Sequence, residues 1–229
     1  MTTAVQEPLV KERLAGQLKD AIMHGRLRPG QRVIEGAWAR EFGVAQASVR
    51  EAINLLIAEG FLVKHAGRSA RVTQYSAEDV ARIYEVRGAL EGLAAQLASS
   101  RNADLLTVES ALNRMEAAQQ RGDVKDLVES DLAFHIALAE ASGNPVLIET
   151  LSRLLYPLFG FVLLQMLATK ELAEKWAPDL PRHRQMIDLI RKGSPAIAKQ
   201  FVEHCVSQFV ASAHVVWMPE AKACKKKER

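Results

Sequence analysis

The stretch GRLRPGQRVIEGAWAREFGVAQASVREAINLLIAEGFLVKHAGRSARV, Gly25 to Val72, decides the fold of the N-terminal third of the chain. Arg28-Pro29-Gly30 makes a turn. A short helix is predicted from about Glu35 to Phe42, closing at Gly43. Another runs from about Gln46 to Glu59, with Ile53, Leu56 and Ile57 facing inward and Gly60 ending it. Two short helices with a glycine at the break form a helix-turn-helix pattern. The turn must be tight, because the second helix has to project its leading side chains into the major groove. Those side chains are Gln46, Ser48, Arg50 and Asn54. The segment Phe61 to Thr73 is β-rich on both sides of Ala66-Gly67-Arg68, which predicts a hairpin with glycine at its turn. A hairpin directly after a recognition helix is a wing, and Lys64, His65, Arg68 and Arg71 would carry its charge to phosphates or the minor groove. Upstream, Val10, Leu14, Leu18 and Ile22 recur every four residues and lay an apolar stripe on one helix face, ended by Gly25. By spacing alone, a small three-helix domain with incidental charge competes with this reading. The first domain is expected over residues 8–74.

The charge distribution leans the same way. Residues 1–75 hold 11 basic against 7 acidic side chains, whereas residues 76–218 hold 14 against 18. A basic first third suits a phosphate backbone and the acidic middle does not. Residues 219–229 are basic again, with Lys225-Lys226-Lys227, and are expected to be a disordered, solvated tail. No targeting signal is read at the N-terminus, and the apolar run Leu154 to Leu164, interrupted by Pro157 and Gly160, is too short for a membrane span. The two cysteines, Cys205 and Cys224, form no paired motif, which fits a reducing cytosol; the chain is expected to be cytoplasmic, with no membrane partner.

The residues of Gly25–Val72 resemble the GntR family of bacterial regulators. The anchor points stand in order: Gly25-x-Leu27-x-Pro29-Gly30, Glu35, Ala39, Gly43-Val44, Val49-Arg50-Glu51-Ala52, Leu55, Glu59-Gly60 and Gly67. The resemblance implies a winged helix-turn-helix that binds double-stranded operator DNA as a homodimer. It also implies that Arg50 contacts the operator while Gly67 and Arg68 enter the minor groove. One departure stands out. The family usually reads Ser/Thr-Arg-Thr/Ser-Pro before Val-Arg-Glu-Ala, and this chain has Ala45-Gln46-Ala47-Ser48. Ala45 supplies no capping oxygen, at a cost on the order of 1 kcal/mol. Gln46 would prefer adenine N6/N7 where arginine reads guanine; contact with phosphate alone is the competing reading.

Beyond residue 75 the pattern is helical throughout. Ser76 with Glu78 and Asp79 opens a helix continued by Val80, Ile83, Leu90 and Leu93. Further helices are expected over about 103–119, 124–141, 145–166, 172–176, 180–192 and 195–217. Gly143-Asn144-Pro145 and Gly193-Ser194-Pro195 mark two junctions. The fold class is therefore mainly α: a winged helix-turn-helix, then an all-α bundle of six or seven helices over residues 76–218.

Asp131 and His135 lie at i and i+4 on one helix and share a face. His183 and His204 fall on the last two long helices, each flanked by apolar residues. One carboxylate and three imidazoles suit a divalent metal ion (Zn, Ni, Mn or Fe) with positions left open for another ligand. Hydrogen-bonded core histidines are the competing reading. Asp131-x-x-Phe134-His135, then Ser142-Gly143-Asn144, His183 and His204 are similar to the FCD effector-binding domain of the FadR subgroup. That resemblance implies a metal held by Asp131, His135, His183 and His204, which helps hold a small organic acid effector. Arg87, in Ile83-Tyr84-Glu85-Val86-Arg87, could pair with such an acid. It could equally form an i, i+4 bridge to Glu91 on a solvated face, worth about 0.3–0.5 kcal/mol. Tyr156, Phe159 and Phe161 are expected chiefly as packing, with a place along the effector cavity as the alternative.

The expected function is a sequence-specific transcription regulator, a repressor controlled by the acid effector. A regulator in which the metal alone is the signal or a structural element, and a metal-dependent enzyme, are the alternatives. Against the enzyme stand the absence of a clear nucleophile, a cofactor fingerprint and a second general base.

Overall fold

The computed structural model describes residues 10–64, 69–168 and 179–217. It separates into two compact units. One comprises the described residues up to Gln74 together with Tyr156–Ala168; the other comprises Tyr75–Leu155 and the described residues from 179 on.

In the first unit, α1 (Val10–Met23) and α2 (Glu35–Phe42) pack on α3 (Gln46–Ala58). Their core is made by Leu14, Leu18, Ile22, Trp38, Ile53 and Leu56 with neighbours of similar character. The turn between α2 and α3 is closed by Gly43 in the left-handed region (φ 66°), where a side chain would be strained. As the sequence predicts, Ala45 makes no side-chain cap for α3. The wing strands β1 (Leu62–Val63) and β2 (Arg71–Val72) pair antiparallel, with Leu62 opposite Val72 and Val63 opposite Arg71. The expected turn residues Ala66 to Arg68 lie outside the described residues, as does His65 before them. A feature beyond the sequence reading is a third strip of sheet. Arg32 bridges Arg71, the Val33 amide donates to Ala70 O, and the Gly30 amide donates to Val72 O. The segment after the Pro29-Gly30 turn therefore backs the wing on its other edge.

In the second unit, α4 (Ala77–Ser100) begins with a reciprocal capping box between Ser76 and Asp79. It is followed by α5 (Leu106–Arg121), α6 (Val124–Ala141), α7 (Pro145–Ala168, which continues into the first unit), α8 (Leu180–Arg191) and α9 (Pro195–Trp217). These are six helices among the described residues; the helix expected near 172–176 lies outside them. α4 packs along α9 and touches α6 and α8, and α5 packs along α6. The helix α5 starts later than predicted because Asn102 takes a positive φ (48°) and Asp104 Oδ1 accepts the Leu106 amide. Neither Pro157 nor Gly160 breaks α7. The stretch Pro145–Leu163 is consequently long and apolar enough to cross a membrane, longer than the run read from sequence. With 56% of that window buried inside the protein, it is a core helix.

Candidate functional site

Two groups of side chains carry chemistry, one in each unit. In the first, the leading edge of α3 is open to solvent: Gln46, Arg50 and Asn54 are exposed and Ser48 is half-buried. Arg50 donates through Nε (3.0 Å) and Nη2 (2.9 Å) to Glu35 Oε2 at the start of α2. Gln46 lies against Gly36, where an added Cβ would stand 2.6 Å from its Nε2. A side chain at 36 would oblige the exposed Gln46 amide to move. Beside them runs a groove of about 570 Å³ lined by Arg32, Glu35, Gly36, Lys64, Ser69 and Arg71, among others. Its basic side chains come from the wing and from the strip that backs it. The sequence reading missed Glu35 and Gly36 as partners of the recognition helix. Gly67 and Arg68 lie outside the described residues.

The second group is buried. α6 presents Asp131 and His135 one turn apart, and α8 presents His183. Asp131 Oδ1 lies 3.2 Å from His135 Nε2 and 3.3 Å from His183 Nε2. His183 Nδ1 lies 2.9 Å from the Asp179 carbonyl, which can only accept, so the ring proton of the neutral imidazole sits there. Its Nε2 then turns a lone pair toward a carboxylate oxygen. Asp131 Oδ1 and His183 Nε2 are both buried without a hydrogen-bond partner. Two electron-rich atoms facing each other in a dry interior need a positive charge between them, either a second ring proton or a metal ion. Ligand atoms of Asp131, His135 and His183 all lie within 4.8 Å of one another, an arrangement that fits a divalent metal. Phe134, wholly buried, sets both rings by edge contacts with centroids 5.4 Å from His135 and 4.7 Å from His183.

His204, expected as the third imidazole, is not brought to this cluster. Among the described side chains of α9 the buried ones are Ala198, Val202, Cys205 and Val206, and His204 falls off that stripe onto an exposed face. Cys205 is buried and free. Arg87 does form the bridge to Glu91, with Nε 2.6 Å from Oε1, but the face is not solvated. The side chains are 6% and 0% exposed, and Arg87 Nη2 also reaches His135 Nε2 at 2.7 Å. Glu91 Oε2 is 3.0 Å from His135 Nδ1. Glu91 thus belongs to the cluster, which spacing alone did not reveal. Tyr84 stands beside it, its ring 5.0 Å from the Arg87 guanidinium carbon. Of the three aromatics on α7, Phe159 is buried and Tyr156 receives Lys19 Nζ on its face, both within the first unit.

The electrostatics follow from burial opposed by partners. Burial pushes the Glu91 carboxyl up, but Arg87 and His135 outweigh it and hold it down to about 2. The Asp131 carboxyl is likewise penalised by burial, yet His135 and His183 keep it well below the usual carboxylate range. Burial disfavours the His135 imidazolium, but Glu91 and Asp131 more than offset this, so its pKa is raised despite Arg87. The Tyr84 hydroxyl is pushed up to about 12 by burial. Both carboxylates of the cluster are therefore held ionised by the cationic groups beside them.

A winged helix-turn-helix with an open recognition helix, joined in one chain to a helical domain with a buried carboxylate–imidazole cluster, defines a DNA-binding transcription regulator. The description "Bacterial regulatory proteins, gntR family" matches residues 10–72, and the FCD domain matches residues 82–208. The chain belongs to the GntR family and carries an FCD domain. It is 27% identical over 217 residues to the "Probable D-xylose utilization operon transcriptional repressor" of Paenarthrobacter nicotinovorans, covering 92% of this chain and 94% of that one. It is 30% identical to the "Uncharacterized HTH-type transcriptional regulator YdhC" of Bacillus subtilis, over 81% and 83% of the two chains. Among solved structures, a transcriptional regulator GntR from Rhodococcus sp. RHA1 is similar at 25% identity, with a TM-score of 0.76 over 91% of this chain and 99% of that one. These relatives are transcription regulators, not enzymes.

Proposed function

We propose that this regulator is a cytoplasmic homodimeric repressor that releases its operator when a small organic acid binds beside a divalent metal in the helical domain. Asp131, His135 and His183 hold the metal, which would supply open coordination positions for a carboxylate. Arg87 is the nearby guanidinium suited to pair with the same acid. Arg50, Gln46, Ser48 and Asn54 face the operator, and Gly67 and Arg68 are the minor-groove contacts that the family resemblance implies. Two-fold pairing of protomers matches a palindromic site.

The observation that carries the metal reading is the unpartnered meeting of His183 Nε2 with Asp131 Oδ1 in the interior. Repression is supported by the relative named a probable repressor, matched over 92% of this chain. Effector and operator oppose each other by equal free energies if both bias one equilibrium. Fluorescence anisotropy on the chain's own promoter region tests this. Zinc-loaded wild type is expected to lose operator affinity with an acidic metabolite from a panel, and His183→Ala to lose that response while still binding DNA. An operator affinity unchanged by the panel, or changed equally in His183→Ala, refutes the scheme. A response to zinc alone favours the metal as the signal.

A further inference from the structure

Arg87 approaches His135 with Nη2, at 2.7 Å from Nε2. A guanidinium has donors only, so in the state that makes this bond the ring is neutral and Nε2 accepts with its lone pair. The proton of the neutral imidazole then sits on Nδ1, on the side of Glu91 Oε2 at 3.0 Å. Yet Nε2 is also the His135 atom turned to Asp131 Oδ1, at 3.2 Å. A metal shared with Asp131 and His183 requires that same lone pair. One lone pair in the ring plane cannot serve a guanidinium and a metal together.

We infer that Arg87 is a resident counter-cation that competes with the divalent metal for His135 Nε2, so that metal binding obliges Arg87 Nη2 to leave the histidine. This rests on the metal reading above and adds a control to it. Glu91 determines what happens to the displaced group. Arg87 Nε holds Glu91 Oε1 at 2.6 Å, and that bond does not involve Nη2. The guanidinium can therefore pivot off His135 and stay charge-paired, which a buried cation requires. Nη2, once released, is a donor for an anion. Metal and acid thereby favour the same position of Arg87, and each strengthens the binding of the other. Without metal, an acid meets a guanidinium already engaged on both sides. The device orders the two ligands, metal first and acid second, and guards an empty cluster against unbalanced negative charge.

The full-length protein is titrated with Zn²⁺ against a chelating dye as wild type, Arg87→Gln and Asp131→Ala. In parallel, side-chain ¹⁵N spectra of the wild type follow Arg87 and His135. Asp131→Ala is expected to lose zinc. Arg87→Gln is expected to bind it about tenfold more tightly or better, because a charge-assisted hydrogen bond no longer has to be broken. In the wild type, zinc should move the Arg87 guanidinium signals together with His135 Nε2. The inference is overturned if Arg87→Gln binds zinc equally or more weakly while Asp131→Ala loses it. It is also overturned if zinc shifts His135 Nε2 and leaves the guanidinium unmoved, a measurement independent of how any variant folds. Equal zinc binding by wild type and Asp131→Ala refutes the metal site itself, and this inference with it.

Discussion

Two arginine–glutamate pairs sit at the two working ends of this chain, and their chemistry is the same while their surroundings are opposite. Arg50–Glu35, on the helix-turn-helix, has side chains 56% and 26% exposed. Arg87–Glu91, in the helical domain, has side chains 6% and 0% exposed. Water screens the first pair, so an acceptor on the DNA can replace Glu35 as the partner of Arg50 at little cost. No such exchange is open to the second. A charge stripped of its partner in the interior loses both hydration and Coulomb attraction. The exposed pair therefore suits a contact that is made and broken with each operator. The buried pair suits an element that has to stay charged, whatever moves around it.

The sharpest way to break this comparison is to delete the acid from each pair. Glu91→Ala is expected to destabilise the protein by about 3–5 kcal/mol, because Arg87 is left buried beside His135. Glu35→Ala should leave the melting temperature within about two degrees of wild type. Urea unfolding followed by circular dichroism measures both. Similar losses for the two variants would show that burial does not separate them.

Acid offers a second route to the same contrast. The folded Glu91 carboxyl is held down to about 2, below its ordinary 4.5. A depressed carboxylate contributes stability that is whole above the ordinary value and is lost as pH falls toward the folded one. Stability should therefore decline between pH 4.5 and 2, with Glu91→Gln flattening that decline. Denaturation midpoints across this window, wild type against Glu91→Gln, decide it. Parallel curves would mean that other carboxylates carry the acid sensitivity.

What could be foreseen differs between the regions for the same reason. The bounds of α2 and α9 and the end of α6 were legible because glycines and prolines are local signals: Gly43 after α2, Gly143-Asn144-Pro145 after α6 and Pro195 opening α9. So was the pair Asp131 and His135, one turn apart. Glu91 was not, because i, i+4 spacing to an arginine looks the same on a wet face and a dry one. Burial of α4 is decided by α9 and α6, far away in sequence. His204 was misplaced for want of phase. One step along a helix turns a side chain by about 100°, and it is Cys205, not His204, that lies on the stripe of Ala198 and Val202. The strip at 30–33 went unread since its pairing partner, Arg71, is equally remote.

On the DNA side, Arg50→Ala is expected to weaken operator binding by roughly 10- to 100-fold and to relax preference at the base pair it touches. Zinc binding, measured on the same preparation, should be unchanged. A variant that lost both would make Arg50 a stability residue and remove the independence of the two ends.

The smallest effect separates competition from orientation within the exposed pair. Glu35 accepts both Arg50 Nε and Nη2 through one oxygen, which fixes the plane of the guanidinium as well as its charge. Removing the carboxylate frees the cation for any phosphate and takes a negative charge away from the backbone. Non-specific affinity at low salt should therefore rise, by about two- to fivefold, and binding should become more sensitive to salt. Orientation is lost in the same change, so affinity for the operator should gain less, and the ratio of specific to non-specific binding should fall. Titrations of operator and scrambled duplex with Glu35→Ala at two salt concentrations read both quantities. A ratio left at the wild-type value would mean that Glu35 only competes with DNA; a ratio that drops while non-specific affinity stays flat would mean that it only aims Arg50.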